Sequence, residues 1–463
     1  MAWLDDDIFL TSRTSKRLYH SIAAALPIID FHNHLSAEQI AENAPFRDLH
    51  QLWLEHDHYK WRLIRGAGYS EDLCTGNASP REKFQAWVTA LADAPANPLF
   101  HWSHLELKRG FGIDLPLLPK HAETIWRQTQ EQCAAQTLTP RHWLQTFRVH
   151  LAATTNDPLD PLHSHRSLAT DLTTPRILPT FRPDLFAQTS DPTVWRHHLE
   201  RLEQAAKTSI HTLDDFQAAL ANRHAYFHQH GCRSSDHGLD HPIIPPDTFS
   251  PSSTFRDLMN GQPLDPLHAT SWARWIVEIT AAENIQRDWV MQLHLGARRN
   301  PRRITAAHPD TGFDLPGPPL SLDALLHLFN TLEARDHLPR AILYNMRPED
   351  AYTLATLAGT FGGPARIQWG PAWWFLDHAQ GITDHLRILA ATSAIGRFVG
   401  MTTDSRSFLS FSRHELFRRL LCEELGSQIE RGLLPNDPEL HVRLIAAICG
   451  QNAQDFFHFP TLS

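Results

Sequence analysis

A His-x-His triplet at the end of an apolar run is the first feature that can do chemistry. Leu26-Pro-Ile-Ile leads into Asp30-Phe-His-Asn-His, so His32 and His34 stand two residues apart. Side chains alternate along an extended segment, which puts both imidazoles on one face. Two neutral imidazoles on one face can hold zinc or a similar ion. The triplet needs support, because 31 histidines in 463 residues yield about two such triplets by chance. Four occur: His32/His34, His56/His58, His163/His165 and His228/His230. Only the first closes a clear strand-like run, and a purely structural pair is its plain alternative.

Asp404 is a third candidate ligand. It closes Phe398-Val-Gly-Met-Thr-Thr-Asp, the last strand-like run. In a closed barrel the last strand neighbours the first. Two imidazoles and one carboxylate would then converge and leave positions open for substrate or water. The plain alternative for Asp404 is a helix cap. Lysine usage narrows the type of site. The lysines stand at positions 16, 60, 83, 108, 120 and 207. A two-metal site bridged by a modified lysine on the fourth strand has no residue to use. A Schiff-base lysine on the later strands is disfavoured in the same way. A single-metal site remains.

Such a constellation needs strands to position it. Apolar or β-branched runs recur at Pro27–His32, Phe147–Thr154, Arg176–Phe181, His228–Ser234, Trp289–Leu295, Arg340–Tyr344, Ala365–Trp369 and Arg397–Thr402. Helical periodicity fills the intervals, as in Leu322-Asp-Ala-Leu-Leu-His-Leu-Phe. Alternating strands and helices imply parallel βα units, and eight of them imply an α/β fold of the (β/α)8 TIM-barrel type. Each run ends in polar residues: His32 and His34, Thr155 to Asp157, Arg182, Asp236 and His237, His294, Asn345, Trp373, and Asp404 with Arg406. The C-terminal strand ends of such a barrel form its active-site face. The interval Ser36 to Thr146 is too long for one βα unit and reads as a large helical insertion after strand 1. The whole chain, 1–463, reads as one barrel domain. Asp240–Thr254 and Pro316–Ser321 read as surface loops.

Composition bounds the rest. Hydrophobic residues make up 42% and charged residues 20% of the chain, enough for a large core. A net charge of −9 argues against nucleic-acid binding. Cys74, Cys133, Cys232, Cys422 and Cys449 form no C-x-x-C pair, which points to reduced thiols. No run approaches the length of a membrane span. The opening Met1-Ala-Trp-Leu-Asp-Asp-Asp is acidic where a secretion signal is basic. These features predict a cytoplasmic chain with no membrane partner, and a homo-oligomer is compatible with them.

Several segments together resemble the uronate isomerase (glucuronate isomerase) family of the amidohydrolase superfamily. They are Asp30-Phe-His-Asn-His-Leu-Ser, Glu55-His-Asp-His-Tyr-Lys-Trp-Arg, Asn97-Pro-Leu-Phe-His-Trp-Ser-His-Leu-Glu-Leu, Pro179-Thr-Phe-Arg-Pro-Asp, Gly231-Cys-Arg-Ser-Ser-Asp-His-Gly, Trp369-Gly-Pro-Ala-Trp-Trp-Phe and Gly400-Met-Thr-Thr-Asp-Ser-Arg-Ser-Phe. The resemblance runs from the first strand to the last. It implies interconversion of D-glucuronate with D-fructuronate, and of D-galacturonate with D-tagaturonate, in hexuronate catabolism. It implies His32, His34 and Asp404 as ligands of one divalent metal, zinc by preference. It implies His58, Tyr59, Asp404 and Arg406 as catalytic residues. Arg182 would receive the substrate carboxylate, with Asp236, His294 and Trp373 also at the substrate. Leu376, where the family carries an amide, and the loop from Ala297 to Arg303 depart from the pattern.

The residue types suit that reaction. Aldose–ketose isomerisation moves a proton between C2 and C1 through an enediol, which needs a base, a proton carrier and stabilisation of an oxyanion. Tyr59 and Asp404 can handle protons, Arg406 and a metal can stabilise the enediolate, and the Arg182 fork suits a carboxylate. Ordinary alternatives are that His58 and Tyr59 decorate a helix surface and that Arg182 pairs with Asp184. Two rival functions stand beside the isomerase. One is a mononuclear metal-dependent hydrolase of the same superfamily; the other is a non-catalytic sugar-acid-binding protein.

Overall fold

The computed structural model describes residues 4–171, 173–299, 301–302, 312–361 and 367–460. Seven parallel strands pair in chain order: β1 Ile28–Asn33, β2 Val149–Asn156, β3 Arg176–Phe181, β4 Ser234–Leu239, β5 Val290–Leu295, β6 Arg340–Asn345 and β7 Ile367–Trp369. Helices such as Leu213–Gln229, Pro266–Arg287 and Leu322–Ala334 separate them, giving the α/β, TIM-like architecture expected from the βα alternation. Strand register is regular over β4, β5 and β6, where Asp236 pairs with Gln292 and His294 with Tyr344. Beyond β5, a two-residue antiparallel ribbon joins Ala297–Arg298 to Leu315–Pro316.

Two strand assignments need correction. The fourth strand begins at Ser234, because His228 and Gln229 still belong to the preceding helix and Gly231 turns the chain with φ of 89°. Asp236 and His237 therefore lie within the strand rather than past its end. The eighth run is not a strand. Ile395–Arg397 is a 3-10 turn, and Gly400 has φ of 84°, outside extended geometry. Any Cβ at Gly400 would meet the Ile448 carbonyl at 2.0 Å, so the close backbone approach requires glycine there. Side chains replace the missing ladder. On the β7 side, Val399 N donates to Gln368 Oε1 at 3.0 Å and Gln368 Nε2 donates to the Arg397 carbonyl at 3.0 Å. On the β1 side, the buried Asp30 carboxylate accepts from Thr402 Oγ1, Thr403 N and Thr403 Oγ1 at 2.6–2.7 Å. Of the expected seventh run, residues 365 and 366 lie outside the described residues. The stretch expected as a loop from Asp240 turns helical at Pro251.

Residues 36–146 carry seven α-helices, from Ala37–Glu42 to Pro140–Thr146. Their starts are written locally. Ser79, Asn97 and Thr139 each cap a helix whose first residue is proline, and the same pattern recurs at Asp191, Asp265 and Asp437. The cap oxygen satisfies an orphan N–H, while proline has none to satisfy. One apolar cluster takes in Trp53, Trp87, Trp102 and Leu105 from this segment together with Phe408, Leu409 and Leu421 from near the C-terminus. No helix among the described residues is long and apolar enough to cross a membrane.

Buried histidines set a pH limit on this packing. His104 donates from Nδ1 to the Phe100 carbonyl at 2.6 Å and accepts the Leu117 N–H on Nε2 at 2.7 Å. Burial drives its pKa down to about 4. A lowered histidine pKa means that the unfolded chain takes up the proton first, so stability falls as pH drops below the unfolded value. Between pH 7 and pH 5 this one group should cost about 2 kcal/mol. His104→Gln keeps a donor and an acceptor without a titrating proton. It should shrink the fall in urea-unfolding free energy between those two pH values; an equal fall in both proteins would contradict the assignment.

Candidate active site

Alternation along β1 places Asp30 and His32 on the opposite face from Ile29 and Phe31, and His34 follows the strand end. Backbone bonds then bring the segment before and after Asp404 alongside: Asp404 N donates to the His32 carbonyl at 3.1 Å and His34 N to the Ser405 carbonyl at 2.9 Å. Asp404 Oδ1 lies 3.1 Å from His32 Nε2 and 3.0 Å from His34 Nε2, and Asp404 Oδ2 accepts from Trp373 Nε1 at 2.5 Å. Asp404 has φ of 45° and its neighbour across the site, Trp374, 50°. Side chains other than glycine rarely take that region, and such strain concentrates where geometry serves function. Burial alone would raise the Asp404 carboxyl, but hydrogen bonds from His32 and His34 hold it well below the ordinary range.

His294, on β5, completes a compact donor group. Its ring stacks on Tyr344 at 4.3 Å and lies 4.7 Å from the His32 ring. Donor atoms of His32, His294 and Asp404 all lie within 4.8 Å of one another. His294 Nδ1 sits 2.8 Å from Asp236 Oδ1, while its buried Nε2 has no hydrogen-bond partner. A carboxylate on Nδ1 makes that nitrogen the donor and leaves Nε2 as a bare lone pair, the arrangement that metal-binding histidines use. The donors therefore fit a divalent ion. The nearest trio includes His294, expected at the substrate, while His34 reaches the same Asp404 oxygen.

The remaining expected residues gather around this group. Arg182 follows β3. Its Nε donates to Asp184 Oδ2 at 2.8 Å and its Nη1 lies 3.0 Å from Asp236 Oδ2, so the pairing with Asp184 does occur. Asp236 is fully buried; burial would raise its carboxyl, but Arg182 and His294 hold it well down. His58 and Tyr59 open the helix His58–Gly66, where the Asp57 carboxylate caps the Tyr59 and Lys60 N–H groups. His58 Nδ1 lies 3.1 Å from Arg406 Nη1. Tyr59 is half-buried and stacks on His58 at 4.6 Å. Burial and the Asp404 charge raise its phenol well above the ordinary value.

A cavity of about 240 Å³ is lined by His32, His34, His58, Arg182, His294, Arg299, Trp373, Trp374, Asp404 and Arg406. Its size suits a small ligand, and three guanidiniums line it. Tyr59 lines a smaller adjoining void with Asp404, Tyr344 and Asp377. Sequence reasoning missed Arg299, Trp374 and Tyr344. Arg299 had a signal, its place just past the end of β5. Other strand-end polar groups are used structurally: Thr155 Oγ1 donates to the Asn33 carbonyl and Asn345 Oδ1 accepts from Trp369 Nε1.

Comparison with known proteins places the chain in a family. A sequence profile described as glucuronate isomerase matches residues 1–457. The chain belongs to the glucuronate isomerase family. A uronate isomerase of Marinomonas sp. is 42% identical, covering 99% of each chain, and one of Opitutus terrae is 42% identical over 98% of this chain and 97% of its own. The uronate isomerase structure from Thermotoga maritima superposes with a TM-score of 0.92 at 31% identity, covering 99% of this chain and all of that one. Membership in the glucuronate isomerase family carries the enzyme class, an intramolecular oxidoreductase of the aldose–ketose type.

The Asp236 link between Arg182 and His294 yields a stability test. Asp236→Asn keeps the shape but removes the charge opposite a buried guanidinium. It should cost about 3 kcal/mol in denaturant unfolding, as other broken buried pairs do. A loss within experimental error would mean that Asp184 alone suffices to hold Arg182.

Proposed function

We propose that this isomerase interconverts D-glucuronate with D-fructuronate, and D-galacturonate with D-tagaturonate, by proton transfer through an enediol. The observation that carries the reading is the 240 Å³ cavity with Arg182, Arg299 and Arg406 in its walls and the His32–His294–Asp404 donor group at its base. Cationic walls favour an acidic ligand, and guanidinium forks suit a carboxylate.

Roles follow from the two opposed proton affinities in the site. Asp404 is held ionised and can take a proton from C2 and return it to C1. Tyr59 is held protonated and can give a proton to O1 as it accepts the one leaving O2. Groups whose environments push their pKa values apart divide acid and base work in this way. Arg406, held beside His58, would stabilise the negative charge that develops on the enediolate. Arg182 binds the substrate carboxylate, with Asp236 fixing the guanidinium and Trp373 fixing the Asp404 carboxylate. His32, His34 and Asp404, with His294 beside them, would hold one divalent ion, zinc by preference. Bound there, the ion supplies a Lewis acid for a substrate oxygen. The reading includes a cytoplasmic enzyme of hexuronate catabolism within the amidohydrolase superfamily, built as one barrel domain with residues 36–146 as its insertion.

The direct test is conversion of glucuronate or galacturonate to the ketose acid by metal-loaded protein. Absence of conversion of both sinks the reading. Tyr59→Phe should lower kcat about 100-fold, the scale of a lost acid–base group, with metal content unchanged on elemental analysis; near-normal turnover removes Tyr59 from the chemistry. Arg182→Lys keeps the charge and loses the fork. It should raise KM by roughly 10-fold or more while changing kcat less, as expected when a charged hydrogen bond is lost. Unchanged KM with collapsed kcat would move Arg182 into the chemical step.

A further inference from the structure

Arg413 lies on the helix Ser412–Glu430, where it is 2% exposed. Its guanidinium sits 3.8 Å from the ring centre of Trp102 and 5.3 Å from that of Tyr59. Nη1 donates to the Thr403 carbonyl at 3.0 Å, one residue before Asp404, and stands 3.4 Å from Asp377 Oδ2. These contacts come from three separate stretches: the helical segment after β1, the turn after Trp374, and the segment that ends in Asp404. Hydrogen bonding at the cluster is incomplete, since neither Arg413 Nε nor Asp377 Oδ1 has a partner. A buried ion pair satisfied this loosely is a poor source of stability, because an apolar replacement of similar volume is often neutral or better. Its distinguishing property is position, for one planar cation touches both the ring of Tyr59 and the backbone beside Asp404.

We propose that Arg413 is a positioning residue for the isomerisation, fixing the Tyr59 phenol relative to the Asp404 carboxylate, with Asp377 as its counter-ion. This rests on the isomerase reading above and deepens it. Trp102 backs the guanidinium on one side and Tyr59 packs near it, so the planar group works as a spacer between the inserted helices and the strand-end segment. Loss of the spacer removes no group that would touch substrate but lets the phenol shift against the carboxylate.

A double-mutant cycle on metal-loaded full-length protein separates this from a structural role. Wild type, Arg413→Gln, Tyr59→Phe and the double variant are compared for kcat and KM on glucuronate, with metal content measured for each. Arg413→Gln should lower kcat by roughly 10- to 100-fold, the scale of a misplaced reacting group, with KM within about threefold and metal content intact. If Arg413 acts through Tyr59, the double variant should be no slower than Tyr59→Phe alone, because coupled residues are not additive. Unchanged kcat in Arg413→Gln, or the same factor lost again in the Tyr59→Phe background, overturns the proposal. Should Arg413→Gln fail to fold, Asp377→Asn replaces it in the cycle under the same criteria. Absence of wild-type conversion would sink the isomerase reading and this proposal together, whereas conversion with additive variants sinks the proposal alone.

Discussion

The Asp30 carboxylate is the contact on which the site depends. It is fully buried at the middle of β1, and Thr402 Oγ1, Thr403 N, Thr403 Oγ1 and Asn33 Nδ2 all donate to it. Burial would raise this carboxyl, but His414 and the two threonines hold it below its ordinary range. A buried carboxylate is tolerable only with such a full set of donors. The donors come from the two chain segments that must meet, so satisfying one charge docks the segment before Asp404 against the strand that carries His32. Two imidazoles and a carboxylate some 370 positions apart in the chain then become neighbours, as the separation of His32 and Asp404 requires.

A second chain of charge runs across the barrel floor. Asp184 holds Arg182, Arg182 meets Asp236, and Asp236 orients His294. His294 stacks flat on Tyr344, whose hydroxyl donates to Gln292 Oε1 at 2.7 Å. Arg182 and His294, both in the cavity wall, are therefore each held by a partner outside it. Preorganised groups of this kind do not need to reorganise when charge develops on a ligand, which is where electrostatic stabilisation is strongest. Asp236 reads as a strand-end residue in the chain. In the fold it is a buried link between two ligand-facing side chains, set there because β4 starts later than its apolar run suggests.

The helical stretch after β1 supplies what strands cannot. His58 and Tyr59 stand at the first turn of a helix whose cap, Asp57, is buried against Lys60 at 2.5 Å. That ion pair and the surrounding tryptophans fix the helix start, and with it the height of the Tyr59 ring over the strand ends. Groups on inserted helices and groups on strand ends can then approach one small volume from different directions.

The chain by itself determined a good deal. Six of the eight strand-like runs became main-sheet strands close to their expected places and the fourth a displaced one, because a short apolar or β-branched run between helical stretches is a local property that packing against helices only confirms. Helix starts were equally local, as at Ser79-Pro80, Asn97-Pro98 and Asp265-Pro266. The segments around His32, His58, Arg182 and Asp404 carried the family resemblance without any geometry. Tertiary structure alone decided the rest. It turned the eighth run into an irregular segment, because Gly400 takes φ of 84° and packs so tightly that a Cβ there would lie 2.0 Å from the Ile448 carbonyl oxygen. It placed His294 within the donor group and Arg299 in the cavity wall, roles that their strand-end positions alone left open. Convergence of residues from different strands depends on how the sheet curls and which charges are buried together, and neither quantity is local in the chain.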